Sequence, residues 1–222
     1  MTIKVVAFDF DGTIADTHDT FVNIVNRLST EFGYQPVSGQ ELERLKHLSS
    51  KEIIKESKIP LIQIPIILQR IKSELNKEII NLQPFSGLKT SLKILKERGY
   101  ILGIVTSNRK DNVVTFLENN DIDNLFNFVY SGTPLFGKDQ IINRLIKIHK
   151  LKPENIIYVG DETRDIQASK KSHIKIISVG WGFNSPEVLR QYHPDYLIDH
   201  PQDLLDILEE NNSSREETSI YN

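Results

Sequence analysis

The run Ile3-Lys4-Val5-Val6-Ala7-Phe8-Asp9-Phe10-Asp11-Gly12-Thr13 decides how the rest of this chain is read. Residues 3–8 are rich in Val and Ile and predict a buried strand. Asp9 and Asp11 lie two apart, so strand alternation points both to one side as the chain leaves the carboxyl end of a sheet. Two carboxylates that close repel each other. The arrangement is costly unless a cation neutralises it or one carboxyl keeps a proton, and either condition suits catalysis. A turn capped by Asp-Gly would account for Asp11 and Gly12, but it leaves Asp9 unexplained.

Further strand-like runs recur at residues 101–105, 155–159 and 174–179, with weaker ones at 128–131 and 195–198. Amphipathic stretches of helical length lie between them, at 88–98, 111–119 and 138–149. Alternation of strands and helices predicts an α/β fold, a doubly wound, Rossmann-like parallel sheet. One connection is out of proportion, since roughly eighty residues separate the first strand from the helix near Ser86. Within it, helical patterning at 19–32 and 61–80 flanks a break at 33–39. The chain therefore divides into a catalytic core at 1–16 and 82–210 and an inserted helical cap at 17–81. Hinges are expected at 15–18 and 81–86. Residues 211–222 are polar, lack apolar periodicity and read as a flexible tail.

Composition narrows the function. With no cysteine, a metal would have to be held by oxygen or histidine ligands. A formal charge of −3 offers no basic excess for a nucleic-acid backbone. No apolar run reaches membrane-spanning length. The N-terminal apolar stretch is cut by Asp9 and Asp11 and has no small-residue cleavage site, so it is not a secretory signal. A cytoplasmic protein without nucleic-acid or membrane partners is expected, and its oligomeric state is not legible.

A second acidic pair follows the strand at 155–159, in Gly160-Asp161-Glu162-Thr163-Arg164-Asp165. Carboxylates at a helix N-terminus are stabilised by the helix dipole without any function; recurrence at a second strand end gives this pair its weight. Hard oxygen ligands without cysteine favour magnesium over zinc. Thr106-Ser107-Asn108, at the end of another strand, reads either as a helix cap or as a set of donors for an anion. Lys138, in Phe136-Gly137-Lys138-Asp139, is either solvated or a positive charge that balances carboxylates and a phosphate.

In order and content these four elements resemble the haloacid dehalogenase superfamily, most of all its phosphoglycolate phosphatase-like subgroup. DFDGT matches the first motif, TSN the second, Lys138 the third and GDETRD the fourth, across the whole chain. The resemblance implies that Asp9 attacks phosphorus to form an aspartyl-phosphate, and that Asp11 serves as general acid and then base. It implies Mg2+ held by the Asp9 carboxylate, the Asp11 main-chain carbonyl and Asp161, with Asp165 in support. Thr106, Lys138 and donors around Gly12, Ser107 and Asn108 would bind the phosphoryl oxygens of a small phosphorylated metabolite, such as phosphoglycolate or a sugar phosphate.

Two positions depart from the pattern. Glu162 stands where many relatives carry a small hydroxyl residue, and Leu48-Ser49-Ser50 stands where phosphoglycolate phosphatases carry a glycine-containing cap loop. Arg44, Lys46, His47 and Lys51 form either a solvated helix face or a contact for an anionic substrate. Trp181 either walls the pocket or packs as an ordinary aromatic. A dehalogenase would share Asp9 but has no use for Asp11. A phosphomutase would use the same aspartates and pass the phosphoryl group to a sugar, and a phospho-ligand-binding module would need no nucleophile.

Overall fold

The computed structural model describes residues 3–131 and 137–213, among which one parallel sheet has the strand order β3-β2-β1-β4-β5-β6. Its strands are β1 (Val5–Phe8), β2 (Ile101–Thr106), β3 (Phe126–Ser131), β4 (Ile156–Gly160), β5 (Lys175–Val179) and β6 (Tyr196–Ile198). Every expected strand is present, with no end moved by more than two residues. β1 is central, with Phe8 in register with Ile104 on one side and Val159 on the other. All of its residues are buried, which is why it reads as a continuous apolar run rather than an alternating one.

Alternation nevertheless sorts the core into two layers. Val6 and Phe8 face a cluster built from α5 (Leu88–Glu97), α6 (Lys110–Asn119) and α10 (Asp203–Ser213), through Leu92, Phe116 and Leu204. Val5 and Ala7 face α7 (Gly137–Ile148), α8 (Thr163–Lys171) and α9 (Pro186–Gln191), through Ile142, Ile166 and Leu189. The strand order reverses between β1 and β4, and in an open parallel sheet the crevice for a ligand opens at the carboxyl ends of the strands that flank such a reversal.

The segment between β1 and β2 folds as α1 (His18–Phe32), α2 (Gly39–Leu45), α3 (Ser50–Glu56) and α4 (Ile64–Glu78). α1 and α4 bury Ile24, Leu28, Ile67, Ile71 and Leu75 in the same apolar cluster as the sheet face, at the three-to-four-residue spacing of an amphipathic stripe. α3 begins with a reciprocal capping box between Ser49 and Glu52. The two connections to the core run side by side, where Asp16 N–H donates to Gln83 O at 3.0 Å and Phe85 N–H donates to Ile14 O at 3.2 Å.

One boundary needs correction. α10 continues to Ser213, so Asn211 and Asn212 belong to a helix rather than a tail. Their amides do the holding that apolar side chains usually do: Asn212 Oδ1 accepts from Ile3 N–H at 2.9 Å and Asn211 Oδ1 accepts from Lys175 Nζ at 2.7 Å. Residues 214–222 of the expected tail lie outside the described residues. No helix among the described residues is long and apolar enough to cross a membrane.

Candidate active site

The four sequence elements converge at the carboxyl ends of β1, β2 and β4. Asp9 follows β1, and its N–H donates to Val159 O at 2.8 Å, so the sheet ladder itself fixes where the carboxylate starts. Asp161 follows β4 and Asp165 lies in the first turn of α8. Asp9, Asp161 and Asp165 are all but inaccessible, at 2%, 0% and 0% exposure. One carboxylate oxygen from each lies within 4.8 Å of the others.

Lys138, at the start of α7, is the cation that enters this cluster. Its Nζ donates to Asp9 Oδ2 at 2.6 Å and also to Asp165 Oδ1. Burial opposes its charge, but Asp165 and Asp9 outweigh burial and hold the ammonium above its ordinary range. One ammonium against three carboxylates leaves negative charge in excess. The Asp161 carboxyl shows it: burial first, then the charges of Glu162, Asp165 and Asp9, push it well above the usual carboxylate range. Asp165 is raised to about 6, by burial more than by any neighbouring charge. A buried, all-oxygen acidic cluster with surplus negative charge fits a hard divalent cation such as Mg2+. The donor chemistry therefore agrees with the metal that the sequence motifs imply.

Asp161 is set from three directions. It accepts from Thr13 Oγ1 at 2.7 Å and from Phe183 N–H at 2.8 Å. Gly12, at φ +76°, lets the chain pass so near that a Cβ there would run into the Asp161 carboxylate. The glycine is required twice over, for the left-handed backbone and for the close approach.

Asp11 has a different environment. Its side chain is outside the acidic cluster and only part-buried, and both of its oxygens accept from Asn108 Nδ2, at 3.0 and 2.9 Å. Burial and the Asp9 charge raise its carboxyl to about 7 against that hydrogen bond. Thr106 ends β2 with its hydroxyl buried, and Oγ1 accepts from Asn108 N–H at 3.0 Å. Thr106 and Asn108 thus form a local turn that aims an amide at Asp11. The Ser107 carbonyl accepts from Lys72 of the cap, at 3.1 Å.

Two contributors, Thr13 and Lys72, have no role in the sequence reading, and a third, Glu162, figures there only as a departure from the family pattern. Thr13 is the hydroxyl donor to Asp161. Glu162 joins core to cap: Oε1 accepts from Arg164 Nη2 at 2.5 Å and Oε2 accepts from the cap residue Ser50 at 2.8 Å. Lys72 of α4 is the cap cation that reaches the core, whereas Arg44 is paired with Glu41 and Glu56, and Lys46 with Glu43. His47 meets Ser185 Oγ at 2.8 Å, and Lys51 is exposed. Trp181 braces the first motif, since Nε1–H donates to Thr13 O at 3.2 Å and its ring lies 6.2 Å from that of Phe85. A cation beside an apolar stripe carries no sequence mark that separates Lys72 from a solvated lysine.

Comparison with known proteins agrees with this geometry. Residues 6–179 match the family model described as haloacid dehalogenase-like hydrolase. The chain is 34% identical over 203 residues to a phosphoglycolate phosphatase of Synechococcus elongatus, covering 91% of this chain and 96% of that protein. It is 24% identical over 226 residues to the pyrophosphatase PpaX of Bacillus mycoides, covering 94% and 98%. A haloacid dehalogenase-like hydrolase from Streptococcus pneumoniae superposes with a TM-score of 0.78 at 25% identity, over 92% of this chain and 98% of that one.

Proposed function

The chain belongs to the haloacid dehalogenase-like hydrolase family, and from that premise we propose that it is a Mg2+-dependent phosphatase acting on a small phosphomonoester, phosphoglycolate or a sugar phosphate, through an aspartyl-phosphate on Asp9. The observation that carries this reading is the unequal pair at the end of β1. Asp9 is buried against the Lys138 ammonium, while Asp11 is held by a neutral amide with its carboxyl raised to about 7. Two neighbouring carboxyls whose environments differ in this way divide into nucleophile and proton carrier. The relative named phosphoglycolate phosphatase supports the choice of substrate.

In the first step an Asp9 oxygen bonds to phosphorus as the bond from phosphorus to the leaving oxygen breaks, and the Asp11 carboxyl gives that oxygen its proton. In the second step the Asp11 carboxylate takes a proton from water as the water oxygen bonds to phosphorus. The phosphorus–Asp9 bond breaks, releasing inorganic phosphate and restoring both side chains. Lys138, the Thr106 hydroxyl, the Asn108 amide and the main-chain donor at Ser107 orient the phosphoryl oxygens and offset their charge, whereas the expected main-chain donor at Gly12 is taken by Ala15 O at 3.0 Å. The Asp9 and Asp161 carboxylates and the Asp11 main-chain carbonyl would hold Mg2+, supported by Asp165, and the ion would supply further positive charge to the phosphoryl group.

Release of inorganic phosphate from p-nitrophenyl phosphate and from phosphoglycolate tests the reading. Mg2+-dependent release that Asp9→Asn abolishes is expected. Equal release by that variant would remove Asp9 as the nucleophile. Transfer to a sugar phosphate in place of release would make the protein a mutase, and binding without either would make it a non-catalytic module.

A further inference from the structure

The segment Gly182-Phe183-Asn184-Ser185, which follows β5, runs from the acidic cluster to the cap. Gly182 passes so near Asp161 that a Cβ there would fall on its side chain, and the Phe183 N–H holds Asp161 Oδ2. The next residue faces two ways. Asn184 is 4% exposed, and its Oδ1 accepts at 3.0 Å from the N–H of Thr163, the first residue of α8. Its Nδ2 donates to Leu48 O of the cap at 2.9 Å. Ser185 continues the contact, its N–H donating to Lys46 O at 2.9 Å and its Oγ meeting His47 Nδ1.

The chemistry of both ends explains why an amide stands at this position. Lys46 and Leu48 sit just past the last turn of α2, where the helix supplies no further N–H groups to its carbonyls. Thr163 opens α8, where N–H groups lack partners for the converse reason. An asparagine carries an acceptor and a donor on one rigid plane, so a single side chain satisfies an N–H of the core and a carbonyl of the cap. The two positions at which the sequence departs from the family pattern meet beside it, since Ser50 Oγ donates to Glu162 Oε2 at 2.8 Å. Cap and core of this chain are thus matched to each other where both are unusual.

We infer that Asn184 is a positioning residue for the reaction: its amide seats the cap turn 46–48 on the core, beside the Asp161 carboxylate that the neighbouring Phe183 N–H holds, before substrate binds. The inference rests on the phosphatase reading above and adds to it a residue whose hydrogen-bonding groups are committed within the protein. A cap without this tie would have to be seated by substrate binding energy. That cost appears as weaker apparent binding rather than as slower chemistry.

The test measures kcat and KM for phosphoglycolate and p-nitrophenyl phosphate at saturating Mg2+, and amide hydrogen exchange without substrate, in wild type, Asn184→Ala and Asn184→Asp. Asn184→Asp keeps the acceptor for Thr163 N–H and removes the donor to Leu48 O, so it separates the tie to the cap from the tie to α8 and stands in if Asn184→Ala fails to fold. Both variants should raise KM about tenfold, the scale of one buried hydrogen bond left unmade, with kcat within about twofold of wild type. Exchange at residues 46–56 should quicken about tenfold while β1 and β4 keep their protection. A fall in kcat as large as the rise in KM, or exchange at 46–56 unchanged, would overturn the positioning role. Faster exchange with KM unchanged would overturn it as well, leaving the tie structural only. No phosphate release by wild type from either substrate would end the phosphatase reading. The exchange measurement, which needs no turnover, separates that result from failure of the tie.

Discussion

Lys138→Met is the sharpest probe of how the acidic cluster is balanced. The substitution keeps an unbranched chain and removes the ammonium that Asp9 and Asp165 share, at a site where the three side chains are 7%, 3% and 0% exposed. Removing one member of a buried ion pair typically costs about 3–5 kcal/mol. Proton uptake by a stranded carboxylate sets a ceiling on that cost. Taking the ordinary Asp value of 3.8, protonating one aspartate costs at most about 5 kcal/mol at pH 7.5 and about 2.3 kcal/mol at pH 5.5, at 1.36 kcal/mol per pH unit. The sign follows: the variant's folded state binds a proton more tightly than its unfolded state, so its stability relative to wild type is lost as pH rises. Metal-free protein should therefore lose about 4 kcal/mol at pH 7.5 and about 2 kcal/mol at pH 5.5. Urea unfolding in the presence of a chelator, followed by the fluorescence of the single tryptophan, Trp181, measures both values. A loss below about 1 kcal/mol at pH 7.5, or the same loss at the two pH values, would refute the charge balance described here.

Two other outcomes test the site and the sheet. With its carboxyl at about 7, Asp11 loses its proton above neutrality, so kcat for an alkyl phosphate should fall about tenfold per pH unit on the alkaline side. The profile for p-nitrophenyl phosphate, whose leaving group needs no proton, should stay nearly flat, and parallel profiles would take the acid role from Asp11. In the sheet, Gly103 of β2 sits beside Phe128 of β3, and a Cβ at Gly103 would fall within the Phe128 ring. Gly103→Ala should cost about 1–3 kcal/mol through overpacking, seen as a melting temperature lower by roughly 3–10 °C. An unchanged melting curve would show that the ring moves aside freely.

Much of the core was legible because its signals are local. β1 is a run of apolar residues, and backbone alternation carries Asp9 off its end whatever the rest of the chain does. β4 repeats the pattern with Asp161, and a four-residue helical spacing carries Asp165 back toward the same point. The inserted segment announced itself by length. Its two long helices were legible from apolar spacing, while the short helices α2 and α3 depend on caps at Ser38 and Ser49 that span only a few residues. The misplaced boundary at residue 211 has the same origin: Asn211 and Asn212 carry no apolar stripe, and their hydrogen-bond partners, Lys175 and Ile3, lie far away in sequence.

By itself, then, the sequence determined the sheet, the inserted cap and the order of the acidic and basic residues at the strand ends, since each depends on periodicities that neighbouring residues impose. Only the tertiary structure decided which groups meet. Thr13 reaches Asp161 across 148 positions, Asn108 reaches Asp11 across 97, and Ser50 reaches Glu162 across 112. Lys72 shows the limit most plainly. Arg44 and Lys46 are the denser cluster in sequence, yet glutamates three residues away take up their charge. Lys72 meets a carbonyl in another part of the fold, and no local pattern encodes a contact that exists only once the cap has packed against the sheet.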